Sequence, residues 1–217
     1  MLKDFKFIHL DQNLFLHPYK SIYWSEQRML LLADVHYGKA AHFRKSGIAI
    51  PETVHRQDLD RLAFLIAHYQ PERIMILGDL FHSAYNQSWQ VFQQFFESQI
   101  SFKPELVPGN HDILDKHHYQ RYHLHEAPLA IGPYILSHVP IAPGLLGGTT
   151  NLCGHIHPAV SIRGKARQSL KLECFYFNKN HGILPAFGRF TGTAKMQQRH
   201  PGDTVFAVTD QKVVPIA

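Results

Sequence analysis

The stretch LLADVHYGKAAHFRKSGIAIP, residues 31–51, joins an unbroken apolar run to a cluster of charged and imidazole side chains. The apolar run is typical of a strand that is buried on both faces of a sheet. Asp34 and His36 follow the run directly, and the cations Lys39, Arg44 and Lys45 come soon after them. The stretch therefore predicts a core strand whose exit carries functional side chains.

Further apolar runs along the chain end in the same way, in RIMILGDLFHS, PELVPGNHD, PYILSHVP and TNLCGHIHP. Two segments between the early runs have helical periodicity. Leu59, Leu62 and Ile66 share one face of the first segment, and Trp89 and Phe92 share one face of the second. Strands that alternate with helices indicate an α/β architecture.

After His157 the pattern contains only strand-like segments, namely SLKLECFYF, GILPAF, DTVFAVTD and KVVPIA. These segments predict a second, mostly antiparallel sheet that packs on the first. The predicted fold class is therefore α/β, with a two-sheet β-sandwich flanked by helices.

Length and composition limit the remaining possibilities. The chain has 217 residues and no Ser/Gly/Pro-rich linker, which predicts a single domain over residues 1–217. No apolar run approaches the ~20 residues of a membrane-spanning helix, and the first residues do not resemble a signal peptide. Two cysteines do not make a disulfide framework. We therefore expect a cytoplasmic protein without membrane association.

The charge and histidine content favour particular ligands. The formal net charge is +5 and the pI is about 9.2, which mildly favours an anionic partner such as nucleic acid. The chain also has 17 histidines, and imidazole is the commonest metal ligand in proteins. The grouping of these histidines must distinguish metal binding from other roles.

The polar clusters share one position, just beyond the carboxyl end of an apolar strand. Ligands bind at that edge of α/β sheets, so side chains distant in sequence can meet there. Two carboxylates, an amide oxygen and several imidazoles form a donor set for two divalent cations, and this mixture favours manganese, iron or zinc over magnesium or calcium. The side chains at these positions are Asp34, His36, Asp79, Asn110, His111, His138, His155 and His157.

The ordered motifs D-V-H, G-D, G-N-H-D, S-H and G-H-I-H resemble the signature of calcineurin-like metallophosphoesterases. The resemblance implies the calcineurin-like fold and two metal ions, with manganese preferred and iron or zinc as alternatives. It assigns His111 as the catalytic residue that protonates the leaving oxygen. It also assigns one metal to Asp34, His36 and His157, the other to Asn110, His138 and His155, and a bridging position to Asp79.

A finer resemblance concerns the substrate. GDLFHS has His82 where the protein phosphatases of this superfamily carry a carboxylate, and this segment resembles that of DNA nucleases. Together with CGHIHPAVSIRG and LPAFGRFTG it is similar to the ligase-associated DNA damage response endonucleases. This resemblance implies a DNA endonuclease in DNA repair, with a DNA ligase or helicase as possible partner.

Basic residues near the predicted metal edge are candidates for substrate binding. Such side chains position nucleic acid through its phosphates without reading its sequence. A solvated charged face would explain any single one of them equally well. The candidates are Lys39, Arg44, Lys45, Arg163 and Arg189.

Three function hypotheses follow from these features. The first is a dinuclear-metal-dependent phosphodiesterase that cleaves DNA. The second keeps the metal chemistry but acts on a small phosphodiester or a phosphomonoester, for example a 2′,3′-cyclic nucleotide. The third is a non-catalytic subunit that binds nucleic acid or a repair partner, and the complete ligand set argues against it.

Overall fold

Two mixed β-sheets pack face to face, and two helices cover the outer face of the first sheet. The computed structural model describes residues 2–39, 53–81, 87–125, 128–163, 168–189, 191–196 and 200–216. No helix within these ranges is long and apolar enough to cross a membrane.

The first sheet contains seven strands. They are β1 (Phe5–His9), β2 (Gln12–His17), β3 (Ser21–Trp24), β4 (Met29–Ala33), β5 (Arg73–Leu77), β6 (Glu105–Val107) and β7 (His123–Leu124). The strands lie side by side in chain order. The pairs from β1 to β4 are antiparallel and the pairs from β4 to β7 are parallel. The carboxyl ends of β4, β5 and β6 therefore meet at one edge of the sheet.

The second sheet contains nine strands. They are β8 (Leu129–Ile131), β9 (Tyr134–Leu136), β10 (Thr150–Cys153), β11 (Pro158–Arg163), β12 (Ser169–Phe177), β13 (His181–Ile183), β14 (Ala194–Lys195), β15 (Thr204–Val208) and β16 (Val213–Ile216). Seven of them follow the order β14-β11-β12-β13-β10-β9-β8, and β15 pairs with β12 and β16. Strand β10 is parallel to both β9 and β13.

Helices α1 (Thr53–Tyr69) and α2 (Gln87–Gln99) pack on the first sheet. Alternate residues of β4 explain this layering, because side chains along a strand point to opposite faces. Leu30 and Leu32 contact the helical layer, whereas Leu31 and Ala33 face the second sheet. Short 3₁₀ helices cover Ser25–Gln27, Lys116–Tyr119 and Pro143–Leu145.

The predicted α/β two-sheet sandwich is confirmed, with one difference in how the strands divide. The second sheet begins well before His157, because β8, β9 and β10 belong to it. Short buried apolar runs look the same in sequence whichever sheet receives them. The antiparallel extension formed by β1, β2 and β3 was not predicted.

Phe206 of β15 tests the packing between the sheets. Its ring is 2% exposed and lies 5.0 Å from the ring of Phe5 and 4.8 Å from that of Phe7. We expect Phe206→Ala to lower the free energy of unfolding by about 3–5 kcal/mol, measured by urea denaturation, because it leaves a cavity between the sheets. Ile8→Ala, at a position that is 64% exposed in β1, is the control and should cost less than about 1 kcal/mol. A similar cost for both variants would contradict this account of the core.

Candidate metal centre

Asp34, His36 and His157 form the first of two groups of ligand atoms that lie within 4.8 Å of one another. Asp34 is fully buried, and its Oδ2 accepts the backbone N–H of His155 at 2.8 Å. Its Oδ1 accepts no hydrogen bond from the described residues and lies 3.2 Å from Nε2 of His157. A buried carboxylate oxygen left in this way is suited to a cation.

The orientation of His157 supports the same interpretation. Its Nδ1 lies 2.9 Å from the carbonyl oxygen of Gly192, which can only accept, so Nδ1 carries the proton when the ring is neutral. The lone pair of Nε2 then faces Oδ1 of Asp34. Two acceptor atoms at this distance are suited to binding the same cation. Burial lowers the pKa of His157, but contact with Asp34 raises it, and the net shift is upward.

Asp79, His138 and His155 form the second group. Nδ1 of His138 lies 3.1 Å from the carbonyl oxygen of Leu77, which leaves the lone pair on Nε2 of the neutral ring. That Nε2 lies 3.0 Å from Oδ1 of Asn110 and 3.1 Å from Nδ1 of His155. Several acceptor atoms therefore converge on one point, and this donor set fits a divalent cation.

Asp79 belongs to the second group and also faces the first. Its Oδ2 is 3.6 Å from Nε2 of His36, and its Oδ1 is 3.5 Å from Nε2 of His138. The carboxylate is almost fully buried, and the backbone N–H of His111 donates to Oδ1 at 2.9 Å. Its two oxygens thus face different groups.

The backbone at these side chains adopts a conformation that L-residues rarely use. The φ angles are +51° at Asp34, +46° at His36, +50° at Asp79, +68° at His155 and +51° at His157. Each such residue costs about 1–3 kcal/mol, and backbone strain of this kind clusters at functional sites. The strain therefore independently marks this edge of the two sheets as a site.

Two glycines allow the close approach of the carboxylates. A Cβ on Gly154 would lie 2.3 Å from Oδ2 of Asp34, and a Cβ on Gly109 would lie 2.2 Å from Oδ1 of Asp79. Real Cβ atoms essentially never lie this close, so any larger residue would displace a candidate ligand carboxylate.

The backbone at Phe187 and Gly188 supports Asp34 from behind. The backbone N–H groups of Phe187 and Gly188 donate to the carbonyl oxygens of Ala33 at 2.8 Å and Asp34 at 3.1 Å. On the other side of this segment, Arg61 donates to the carbonyl oxygen of Phe187 at 2.7 Å.

Two ion pairs hold the side chains of Lys20 and Arg61 next to this segment. Lys20 approaches the carbonyl oxygen of Gly188 at 3.5 Å and pairs with Glu173 at 3.0 Å, while Arg61 pairs with Asp58. Lys20 and Asp58 are buried. Asp58 and Arg61 are three residues apart in α1, whereas the other partners come from distant parts of the chain, which local sequence patterns do not reveal.

His111 and Asp112 occupy the loop after β6. The imidazole of His111 is 41% exposed, and its Nε2 lies 4.0 Å from Oδ2 of Asp79. Asp112 instead closes the loop, since its carboxylate accepts the backbone N–H groups of Gly109 at 2.9 Å and Leu80 at 3.1 Å. Burial raises the pKa of Asp112 to about 6.

The predicted substrate-binding cations occupy different surroundings. Lys39 is close to the carboxylates of Asp79 and Asp34, which oppose the lowering of its pKa by burial. Arg189 donates to Oε1 of Gln57 in α1. It lines a cavity of about 660 Å³ that includes none of the predicted metal ligands.

Arg163 lies at the end of β11, where the structure describes its backbone alone. Arg44 and Lys45 lie outside the described residues, as do His42 and His82.

Two sheets that deliver carboxylates, an amide and imidazoles to one edge define a metal-dependent hydrolase site. The model of the calcineurin-like phosphoesterase family matches residues 27–190, and the chain therefore belongs to that family. It is a metal-dependent phosphoesterase, and enzymes of this family use divalent metals.

Solved structures similar to the chain include the nuclease MPE of Pseudomonas putida. That structure has 27% sequence identity and a TM-score of 0.81, over 99% of this chain and 100% of the nuclease. A second similar structure is Yfce, a phosphoesterase from E. coli, with 14% identity and a TM-score of 0.43 over 87% of this chain and 98% of that one. No curated protein sequence matched the chain.

Gly154 provides a test of the metal centre. We expect Gly154→Ala to weaken Mn²⁺ binding by about tenfold or more, measured by isothermal titration calorimetry, because the new Cβ displaces the Asp34 carboxylate. Gly144→Ala is the matched control, since nothing lies within 4 Å of a Cβ built there. Unchanged Mn²⁺ affinity in a folded Gly154→Ala variant would show that Asp34 is not a ligand.

Proposed function

We propose that the protein is a dinuclear-metal-dependent phosphodiesterase that cleaves DNA as an endonuclease in DNA repair. The observation that carries the substrate class is the similarity to a nuclease over the whole of both chains. A DNA ligase or helicase as partner is part of this proposal and is supported by the resemblance of the sequence motifs to the ligase-associated endonucleases.

The two adjoining ligand groups support the dinuclear part of the proposal. Asp34, His36 and His157 would hold one cation, and Asn110, His138 and His155 the other. Asp79 would bridge them, because its two oxygens face opposite groups. The mixed nitrogen and oxygen donors favour manganese, with iron or zinc as alternatives.

Bound divalent cations supply Lewis acidity toward the attacking water and the phosphoryl oxygens. The side chains of the protein supply the remaining contributions to catalysis. The buried carboxylates of Asp34 and Asp79 would hold the cations, and the ammonium of Lys39 adds positive charge beside them. His111 is exposed enough to reach a substrate and donates a proton to the leaving oxygen.

The substrate class is tested by incubating the purified protein and Mn²⁺ with single-stranded, nicked and flapped DNA. We expect cleavage that a chelator abolishes and that Asp79→Asn lacks, because the carboxylate between the ligand groups is lost. Gel electrophoresis of circular and linear substrates separates internal cleavage from cleavage at ends.

If bis-p-nitrophenyl phosphate is hydrolysed while all DNA stays intact, the nuclease proposal is wrong. A preference for phosphomonoesters would favour the small-molecule alternative.

The role of His111 is tested by comparing leaving groups in His111→Gln. We expect DNA cleavage to fall by about 10²–10⁴-fold, because the alkoxide that leaves needs a proton. Hydrolysis of bis-p-nitrophenyl phosphate should fall much less, since p-nitrophenolate leaves without one.

Two controls accompany this comparison. His200→Gln, at an exposed position, should retain both activities, and bound Mn²⁺ in His111→Gln should match that of the wild type. An equal loss with both substrates would rule out proton donation by His111.

A further inference from the structure

A cavity of about 650 Å³ adjoins the second ligand group. Asn110 and His138 line it together with Val139 and Leu145, and we call it the side pocket. Because Asn110 and His138 are candidate ligands, a phosphate held at the metal centre would adjoin this pocket. A group esterified to that phosphate can extend into it.

The walls of the side pocket are apolar and uncharged. Among the described residues that line it there is no Lys, Arg, Asp or Glu. Val139 is 47% exposed and Leu145 is 77% exposed, so both offer apolar surface to a ligand. Such walls with a few polar groups are typical of pockets for neutral organic groups and do not suit a second phosphate.

The wall beside Val139 is fixed before any ligand arrives. Ser137 donates its hydroxyl to the carbonyl oxygen of Val139 at 2.7 Å. The backbone N–H of Ile141 donates to Oδ1 of Asn151 at 2.9 Å, and Asn151 is fully buried. A preformed wall binds a ligand without the entropic cost of ordering a loop.

His125 also lines the side pocket, and its imidazole has a fixed orientation. Nε2 of His125 lies 2.9 Å from Oε2 of Glu105. Glu105 is itself held by two contacts with Arg73, at 2.6 and 2.8 Å. His125 therefore offers a polar group at a defined position within a largely apolar pocket.

We propose that the side pocket binds the base and sugar of the nucleotide next to the scissile phosphate. This inference rests on the proposed function and specifies its substrate. The base of a duplex is stacked and paired, so it can enter such a pocket only after leaving the stack. The pocket therefore selects unpaired nucleotides, in single strands, flaps or frayed ends.

The test measures competitive inhibition of bis-p-nitrophenyl phosphate hydrolysis by small phosphates. The probes are thymidine 5′-monophosphate, thymidine 3′-monophosphate and methyl phosphate. We expect at least one nucleotide to inhibit about tenfold more strongly than methyl phosphate, because apolar contact worth ~1.4 kcal/mol changes affinity tenfold. Leu145→Ala and Val139→Ala should reduce this ratio severalfold. Leu170→Ala, at a position that is 60% exposed in β12, is the matched control and should leave it unchanged.

Two results would overturn the inference. One is equal inhibition of the wild-type enzyme by nucleotides and methyl phosphate. The other is a nucleotide preference that survives both pocket substitutions. The assay needs no DNA cleavage, so failure of the nuclease proposal is observed separately. A nucleotide preference lost in Leu145→Ala supports the pocket even if DNA proves not to be a substrate.

Discussion

The buried carboxylate of Asp34 is the constraint on which the rest of the site depends. A carboxylate without access to water is stable only when hydrogen bonds or cations replace its hydration. The backbone N–H of His155 replaces part of it, and the candidate ligand His157 faces the other oxygen. The absence of a Cβ at Gly154 allows the chain to approach this carboxylate closely, and the backbone N–H of Gly188 holds the carbonyl oxygen of the same residue.

Strain at the site is balanced by rigidity around it. Left-handed backbone at five candidate ligands persists only where the surroundings over-determine it. On one side, the core between the sheets fixes the strands that precede these ligands. On the other side, Arg61 and Lys20 hold the carbonyl oxygens of the Phe187–Gly188 backbone.

Sequence predicts this protein well where function depends on position along a strand. Asp34 and Asp79 stand directly beyond the apolar runs that form β4 and β5, so their convergence follows from the parallel arrangement of these strands. The sequence did not predict that β9 and β10 belong to the second sheet, nor that Arg61 contacts Phe187. Both depend on pairing between distant segments, which local periodicity does not encode.

The two sheets contribute different residues to the candidate metal centre. Asp34, His36, Asp79 and Asn110 follow strands of the first sheet, whereas His138, His155 and His157 adjoin strands of the second. Cations bound at this edge would therefore link the two sheets to each other. Because a ligand that binds only the native state adds to its stability, resistance of the protein to heat would rise and fall with the supply of metal.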